Sequence, residues 1–414
     1  MGHVEDRWMR PKRDDDGKVV INGRGKPVLE PTELYGKGLR YRVRYVDPDG
    51  DERSKSFPDR QKKRADDFLI EVESDKREGK YIDPRGVRKT FRQQAENWYK
   101  AQSPDPATRE VLRSRLKRRI YPTLGDLPLG RIQPATIRDW LGVLEEQKLS
   151  ENYKLALFTI VSAVLDSAKD DRLIRDNPCQ AKTVRRPLPA SPQIEVWPES
   201  RLWAVRDGLA ERFAVIVPLG SGLGLRQGEI FAIAPEDIDR DGLVVTVRRQ
   251  IKTADGVQMF ALPKGGKTRT VPLSVGLLAE LDAHMSKFPP VSTTLPWART
   301  DGDPVTANLI VTGEGGRLYS GDLFTKVVWQ GGFRNAGIEH RKRADGMHAL
   351  RHFYASTLLS RGVSIKELAD YLGHGDPGFT LRTYTHLVSS SHERARQAVD
   401  DIFRPPADDG LEAA

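Results

Sequence analysis

A glycine-rich turn leads into a basic and an acidic residue in the segment 222–229 (GLGLRQGE). A helix that begins here places Arg226 at its first turn, as a fork of N–H donors that matches phosphate or carboxylate oxygens. Glu229 follows three residues later on the same helical face, where its carboxylate can hold the guanidinium group. The pair predicts an anion-binding arginine with a buttress, although Arg–Glu pairs at this spacing are also common on protein surfaces.

Two lysines lie near a predicted turn in the segment 262–273 (LPKGGKTRTVPL). Gly265 and Gly266 form a two-residue hairpin signal, which places Lys264 at a mobile tip. A lysine ammonium group in this position can donate a proton to a leaving group. Taken alone, this motif favours an ordinary surface hairpin.

A histidine and an arginine are three residues apart in the segment 348–352 (HALRH). On a helix His348 and Arg351 lie one above the other. His348 and His352 could instead form a zinc pair, but the zinc-peptidase pattern needs Glu after the first histidine, where this chain has Ala349. We therefore predict no metal site, and we expect His352 to pack or to cap.

The segments 372–376 (LGHGD) and 381–386 (LRTYTH) contain the last candidate groups. Glycines bracket His374 in a turn, and Asp376 followed by proline predicts the cap and start of a helix that carries Tyr384. The ordinary pKa of tyrosine is near 10, so attack by its hydroxyl requires a cationic pocket or a neighbouring base.

In this order, the motifs resemble the tyrosine recombinase/integrase family over residues 210–400. The resemblance implies a metal- and ATP-independent DNA strand transferase without a cofactor, in which a phosphotyrosine keeps the energy of the broken bond. Two guanidinium groups suit the charge of a phosphodiester in its transition state. The implied roles are a phosphate clamp (Arg226, Arg351), pocket histidines (His348, His374), a buttress (Glu229), a general acid (Lys264) and a nucleophile (Tyr384). Pro263 stands where many relatives have glycine, so Lys267 stays an alternative acid.

Composition sets broader limits. The chain has 414 residues, which suggests two or three domains, and 67 Lys and Arg against 58 Asp and Glu give a net charge of +9. This balance favours a polyanionic partner. The single cysteine, Cys179, excludes a disulfide framework or a thiolate zinc site within one chain. Without a signal-like apolar run or a membrane span, the chain is expected to be cytoplasmic and, by the resemblance, associated with the nucleoid.

The N-terminal part predicts a flexible segment (1–34) and a small hairpin–helix domain (35–87) that resembles an arm-type DNA-binding domain. Strict alternation over 39–46, a turn, and a returning strand over 52–57 predict the hairpin. Alternate arginines of the first strand span about 13 Å, and a two-stranded ribbon can enter a major groove. The expected DNA-facing residues are Arg40, Arg42 and Arg44, joined by Arg53 and Lys55. A solvated strand face is the alternative.

A helical region over 88–186 resembles a core-binding domain. One amphipathic helix, 108–120, predicts a basic outer surface. Its candidate DNA-binding residues are Arg113, Arg115, Lys117, Arg118 and Arg119. A proline-rich linker (187–198) precedes the predicted catalytic domain (199–403) and a tail (404–414). The fold class is therefore multidomain α+β: a hairpin–helix domain, an all-α domain, and a mainly α catalytic domain with a small antiparallel sheet.

By the resemblance, the expected activity is site-specific recombination that integrates and excises a mobile element of phage or plasmid origin. The implied partners are double-stranded DNA with core and arm sites, a homotetramer on DNA, an excisionase and a host DNA-bending protein, but no membrane. The alternatives are a Xer-type resolvase, a type IB topoisomerase, and a non-catalytic DNA-binding regulator on the same scaffold.

Overall fold

The computed structural model describes residues 2–48, 50–79, 81, 88–102, 105–189, 194–342, 344–384, 396, 399–400 and 402–403. The chain forms two compact units: residues 1–103 with 113–190, and residues 104–112 with 191–414. The predicted tail (404–414) and the central part of the predicted linker (190–193) lie outside the described residues.

The first unit begins with strands β1 (His3–Asp6), β2 (Met9–Pro11), β3 (Leu29–Pro31), β4 (Tyr41–Val46) and β5 (Glu52–Phe57), followed by helix α1 (Lys62–Arg77). An antiparallel sheet has the order β1-β4-β5, and β2 pairs with β3. Tyr41, Val43 and Tyr45 are buried beside α1, as the alternation predicts. The prediction of a flexible segment over 1–34 is wrong for β1 to β3, because backbone pairing with β4 and within β2–β3 orders segments that have no hydrophobic periodicity.

Strand register also corrects the predicted arginine face. Val43 pairs with Lys55, and Tyr45 pairs with Arg53. Directly paired residues point to the same side of a sheet, so Lys55 and Arg53 lie on the tyrosine face and not beside Arg42. Consistent with this, the Lys55 ammonium lies 4.1 Å from the centre of the Phe68 ring on α1.

The helical region over residues 88–186 contains α2 (Phe91–Ala101), α3 (Pro106–Arg115), a π-helical segment (Leu116–Gly125), a 3-10 turn (Leu129–Arg131), α4 (Pro134–Glu146), α5 (Glu151–Asp170) and a second 3-10 turn (Pro178–Gln180). Most of α3 belongs to the second unit, and the other elements belong to the first. Trp140 of α4 and Val161 of α5 are fully buried. The helix predicted over 108–120 is not continuous, because the α-helix ends at Arg115. Pro122 lies in the π-helical segment and has no N–H to donate to an α-helical hydrogen bond.

The second unit is mainly helical. Its helices are α6 (Glu199–Gly208), α7 (Glu211–Ala214), α8 (Ile216–Leu223), α9 (Gln227–Ile230), α10 (Val275–Lys287), α11 (Gly321–Phe324), α12 (Gln330–Asn335), α13 (His348–Ser360), α14 (Ile365–Leu372) and α15 (Pro377–Tyr384). Short turns of other helical types occur at Pro235–Asp237, Glu314–Gly316 and Thr325–Trp329.

Its strands are β6 (Ile238–Asp239), β7 (Val244–Val247), β8 (Gln250–Ala254), β9 (Val257–Ala261), β10 (Arg269–Pro272), β11 (Val291–Pro296) and β12 (Pro304–Leu309). They form antiparallel sheets of order β10-β7-β6, β8-β9 and β11-β12, which confirms the predicted mixed fold. The segment with Lys264 is not a hairpin turn, because it connects β9 to β10 in a different sheet. Gly265 and Gly266 nevertheless form a tight turn with left-handed φ angles of 98° and 72°.

Two contacts set the position of α13, which carries much of the candidate site. Gly220 of α8 faces Leu350 so closely that a Cβ on the glycine would lie 2.6 Å from Leu350 Cδ1. Asp345, fully buried before α13, accepts hydrogen bonds from Trp197 Nε1 at 3.1 Å and Arg201 Nη2 at 2.7 Å. Close packing and a buried carboxylate therefore hold the start of this helix.

Candidate active site

Arg226 lies where the sequence predicts it, between the end of α8 and the start of α9. Gly224 ends α8 with a φ of 61°, and a Cβ there would lie 2.5 Å from the Tyr354 ring, so both the backbone and the space require glycine. The Arg226 guanidinium donates to Glu229 at 2.9 Å, and its backbone N–H donates to the same carboxylate at 2.9 Å. The predicted Arg–Glu pair is present.

A second arginine, which sequence reasoning missed, shares Glu229. Arg269 on β10 donates through Nη1 at 3.0 Å and Nη2 at 2.7 Å to the two oxygens of this carboxylate. Its Nε donates to the Tyr371 carbonyl at 2.7 Å, which ties β10 to the end of α14. Burial opposes the charge of Glu229, but Arg269 and Arg226 outweigh it and lower the pKa of the carboxyl to about 2.

Arg351 on α13 is almost completely buried, with 1% of its surface exposed. It donates to the carbonyls of Gly224 at 2.7 Å and Leu372 at 2.5 Å. Burial, together with the charge of Arg226, lowers its pKa to about 9, which still leaves the guanidinium group charged at neutral pH. Neutral carbonyl groups thus hold this cation without cancelling its charge.

His374 follows Gly373, whose φ of 63° ends α14. Its Nε2 lies 3.0 Å from Arg351 Nη2, and its Nδ1 lies 2.7 Å from the hydroxyl of the fully buried Thr380. Because a guanidinium group can only donate, Nε2 must be the acceptor and the proton must lie on Nδ1, where it is donated to Thr380. Thr380 therefore sets the tautomer of His374.

The histidines of α13 lead to the tyrosine. The rings of His348 and His352 pack edge to face, with centroids 4.6 Å apart. His352 Nδ1 lies 2.9 Å from the hydroxyl of Tyr384, whose side chain is 1% exposed. The expectation that His352 only packs or caps is wrong, because its imidazole is hydrogen-bonded to Tyr384. His348 lies three residues before Arg351 and four before His352, and these spacings place all three side chains on one face of α13. Burial raises the pKa of Tyr384, although Arg351 and Arg226 act against this rise.

The two lysines of the predicted turn lie at a cleft of about 460 Å³. Lys264 and Lys267 both line this cleft, together with Arg269 and His374. Since both ammonium groups are at the cleft, the choice of Lys264 over Lys267 as general acid stays a prediction.

Positive charge exceeds negative charge at the candidate active site. Among the described residues, Glu229 is the only carboxylate that forms an ion pair with the site arginines. Burial, then the charges of Arg351 and Arg226, lowers the pKa values of His348 and His374 to about 4, so both imidazoles are neutral at neutral pH. Fixed guanidinium donors, neutral imidazoles and a protonated phenol suit a phosphodiester anion and its attack by an oxygen nucleophile.

The remaining predicted DNA-binding residues lie in the first unit. Arg40 donates to Asp6 at 2.8 Å and to Asp59 at 3.0 Å, and Arg44 donates to Glu5 at 3.2 Å. On the segment 113–119 the exposed side chains are Arg113, Lys117 and Arg118. Arg115 stacks over Tyr153, and Arg119 donates to Gln147 at 2.7 Å.

Across the described residues, no cluster of His, Cys, Asp or Glu side chains is arranged to hold a metal ion. No helix in the described part of the chain has the length and apolar character needed to cross a membrane.

The sequence matches two family descriptions. Residues 202–390 match the phage integrase family, and residues 91–183 match the phage integrase central domain. The chain belongs to the phage integrase family of tyrosine recombinases. It is accordingly a site-specific DNA recombinase.

Similar proteins include integrases of phages and Xer-type recombinases. The integrase of Mycobacterium phage FRAT1 is 25% identical over 74% of this chain and 87% of its own length. A XerC-like tyrosine recombinase of Caldanaerobacter subterraneus is 26% identical over 66% of this chain and 72% of its own length.

Solved structures share the fold of the recombinase. The Tn1549 transposon integrase in complex with transposon right end DNA has a TM-score of 0.62 at 18% identity, over 76% of this chain and all of that chain. A lambda integrase tetramer bound to a Holliday junction has a TM-score of 0.53 at 16% identity, over 81% and 93% of the two chains.

Proposed function

We propose that the recombinase is an integrase of a mobile element, which cuts and rejoins DNA through a 3′-phosphotyrosine at Tyr384. The observation that supports this most is the placement of the Tyr384 hydroxyl in a pocket with two arginines, Arg226 and Arg351, whose only ion-pair partner among the described residues is one carboxylate, Glu229. Such a pocket favours a phosphodiester over a neutral ligand.

In the proposed reaction, Arg226 and Arg351 clamp the scissile phosphate, and Glu229 holds Arg226 in place. The Tyr384 oxygen forms a bond to phosphorus while the bond from phosphorus to the 5′ oxygen breaks. The phenolic proton passes to a neutral imidazole of the pocket, and Lys264 donates a proton to the leaving oxygen. Attack by the 5′ hydroxyl of another strand reverses these steps and reseals the DNA, so no nucleotide cofactor is required.

We assign double-stranded DNA as the partner, with core sites bound by residues 88–186 and arm sites bound by residues 35–87. Arg113, Lys117 and Arg118 are exposed and available for phosphate contacts in the core-binding domain. By similarity to the lambda integrase tetramer on a Holliday junction, the active assembly is a tetramer. An excisionase and a host DNA-bending protein complete the proposal, which places the reaction in the cytoplasm at the nucleoid.

The test uses DNA from the flanks of the gene that encodes this chain, cut into fragments and nicked to trap intermediates. Wild type is expected to form a covalent protein–DNA adduct on a denaturing gel, and Tyr384→Phe is not. The trapped fragment identifies the core site. If the phenylalanine variant also forms an adduct, Tyr384 is not the nucleophile. If both proteins bind the DNA specifically but neither forms an adduct, a DNA-binding regulator is favoured.

Xer-type resolution is the second candidate, because XerC-like and XerA recombinases are among the similar proteins. Such recombinases generally lack an arm-type domain, whereas this chain has a sheet and a helix over residues 3–77. Deletion of residues 1–87 separates the two functions: an integrase should lose recombination on substrates that need arm sites, while a resolvase should retain recombination between two core sites.

A further inference from the structure

The hydroxyl of Tyr384 is hydrogen-bonded to His352, a residue to which the family resemblance assigns no role. Its oxygen lies 2.9 Å from His352 Nδ1, and the two rings lie with centroids 5.6 Å apart. His352 follows Arg351 directly on α13, so one helical turn positions both the Arg351 guanidinium group and the His352 imidazole.

We propose that His352 is a catalytic residue that positions the nucleophile, with Nδ1 accepting the hydrogen bond of the Tyr384 hydroxyl. A phenol hydroxyl rotates freely about its C–O bond, and an acceptor on one side fixes the direction of its lone pairs. This inference rests on the proposed role of Tyr384 as nucleophile.

The protonation states favour this direction of the hydrogen bond. Burial, with smaller contributions from His348 and Arg351, lowers the pKa of His352 to about 3, so its imidazole is neutral and has one acceptor nitrogen. Burial also raises the pKa of Tyr384, so the phenol keeps its proton and can donate it. A hydroxyl that donates to Nδ1 leaves its oxygen lone pairs free for attack.

The other histidines of the site are engaged elsewhere. His374 uses Nε2 for Arg351 and Nδ1 for Thr380. His348 contacts His352 through its ring, at a centroid distance of 4.6 Å. Of the site histidines, His352 is thus the one hydrogen-bonded to the tyrosine in the described part of the structure.

A matched pair of amide variants tests the proposal. In His352→Asn the side-chain oxygen can occupy the place of Nδ1, one bond beyond Cγ, whereas in His352→Gln the same amide lies one bond further out. Loss of an oriented buried hydrogen bond slows a step by about 10- to 100-fold. We expect His352→Gln to cleave nicked core DNA more slowly by about this factor, His352→Asn to retain most of the rate, and both to keep wild-type DNA affinity.

A substrate with a 5′-bridging sulfur locates the defect on the nucleophile side. The sulfur leaves without a proton, so Lys264→Ala should regain cleavage on it, while His352→Gln should stay slow. Equal rates for wild type and His352→Gln, with Tyr384→Phe inactive, would overturn the inference and leave the proposed function intact. Equally slow Asn and Gln variants would also overturn a positioning hydrogen bond, and an active Tyr384→Phe would overturn the proposed function itself.

Discussion

The sheet of the first unit and the candidate active site of the second unit both present several arginines, but their charges are balanced differently. In the sheet, Arg40 forms ion pairs with Asp6 and Asp59. Arg44 forms an ion pair with Glu5. At the candidate active site, Arg226 and Arg269 share Glu229, and Arg351 is held by backbone carbonyls. An arginine pattern in a sequence therefore does not reveal whether its charge is available to a ligand.

The cost of burial explains the difference. A buried cation without a counter-ion is unfavourable unless hydrogen bonds hold it, as the backbone carbonyls hold Arg351. The partly exposed pairs of the sheet contribute little energy to stability, and each of these arginines already has a carboxylate partner. The following predictions test this contrast, from the largest expected effect to the smallest.

Replacement of Arg351 by lysine should have the largest effect. Lysine keeps the charge but cannot donate at once to Gly224, Leu372 and His374, so the clamp loses its fixed geometry. We expect single-turnover cleavage of nicked core DNA to fall about 1,000-fold. Lysine at Arg44, on the sheet, serves as the control, and a similar loss there would remove the contrast between the two regions.

Glu229→Gln should destabilise the second unit as well as slow cleavage. Removal of one partner from a buried ion pair costs about 3–5 kcal/mol, because Arg226 and Arg269 then lack a counter-charge. The folded pKa of about 2 lies below the ordinary 4.5, so this stabilisation is complete above pH 4.5 and is lost as the pH falls toward 2. Denaturant unfolding of both proteins at neutral pH and near pH 2 measures this loss. A difference in stability that stays the same at the two pH values would contradict it.

The histidines of the candidate active site predict a stability change with pH. With pKa values of about 4 for His348 and His374 in the folded state, protons bind to the unfolded chain first as the pH falls below 6.5. The free energy of unfolding should therefore decrease between pH 6.5 and 4, and less steeply in His348→Gln. Unfolding curves at several pH values measure the slope, and equal slopes would argue that His348 is not buried.

Arg42 should contribute more to arm-site binding than its neighbours on β4. Among the described residues Arg42 forms no ion pair, while Arg40 and Arg44 each have a carboxylate partner. Arg42→Ala should weaken DNA binding about tenfold. The plot of log K against log salt concentration should also become less steep, by the amount expected for the loss of about one phosphate contact. Fluorescence titrations at several salt concentrations test this, with Arg44→Ala as the control. Equal losses for both variants would show that existing ion pairs do not limit DNA contact.

Lys55→Met should have the smallest effect on DNA binding. Because register places this side chain over Phe68 on the tyrosine face, we expect unchanged affinity and a change in stability of about 0.5 kcal/mol. Affinity for arm-site DNA and the thermal midpoint test both parts. Weaker DNA binding with an unchanged midpoint would instead support the original prediction of a joint basic face.

Local sequence rules predicted the elements that present the pocket. Gly224 and Gly373 need left-handed backbone, which only glycine adopts easily, and each stands directly before or near a site residue. The helical spacing of His348 and Arg351 likewise follows from 3.6 residues per turn. These features depend on neighbours within a few residues, which a sequence displays.

Three residues of the site could not be assigned in this way. Arg269 reaches Glu229 from a strand 40 residues away, and His352 reaches Tyr384 from another helix. Thr380 contacts His374 only when α15 packs beside α14. Arg269 and His352 can be read directly from the sequence, but the sequence does not show that they contact Glu229 and Tyr384.

The sequence by itself determined the family, the mixed helical fold and the chemical types of the pocket, because these depend on motifs and short-range periodicity. Tertiary structure decided the face of the sheet on which Arg53 and Lys55 lie and the pairing of the first strand, β1, with β4. It also decided the hydrogen bond between His352 and Tyr384. Register, strand pairing and helix packing bring together distant residues, and no local pattern encodes such contacts.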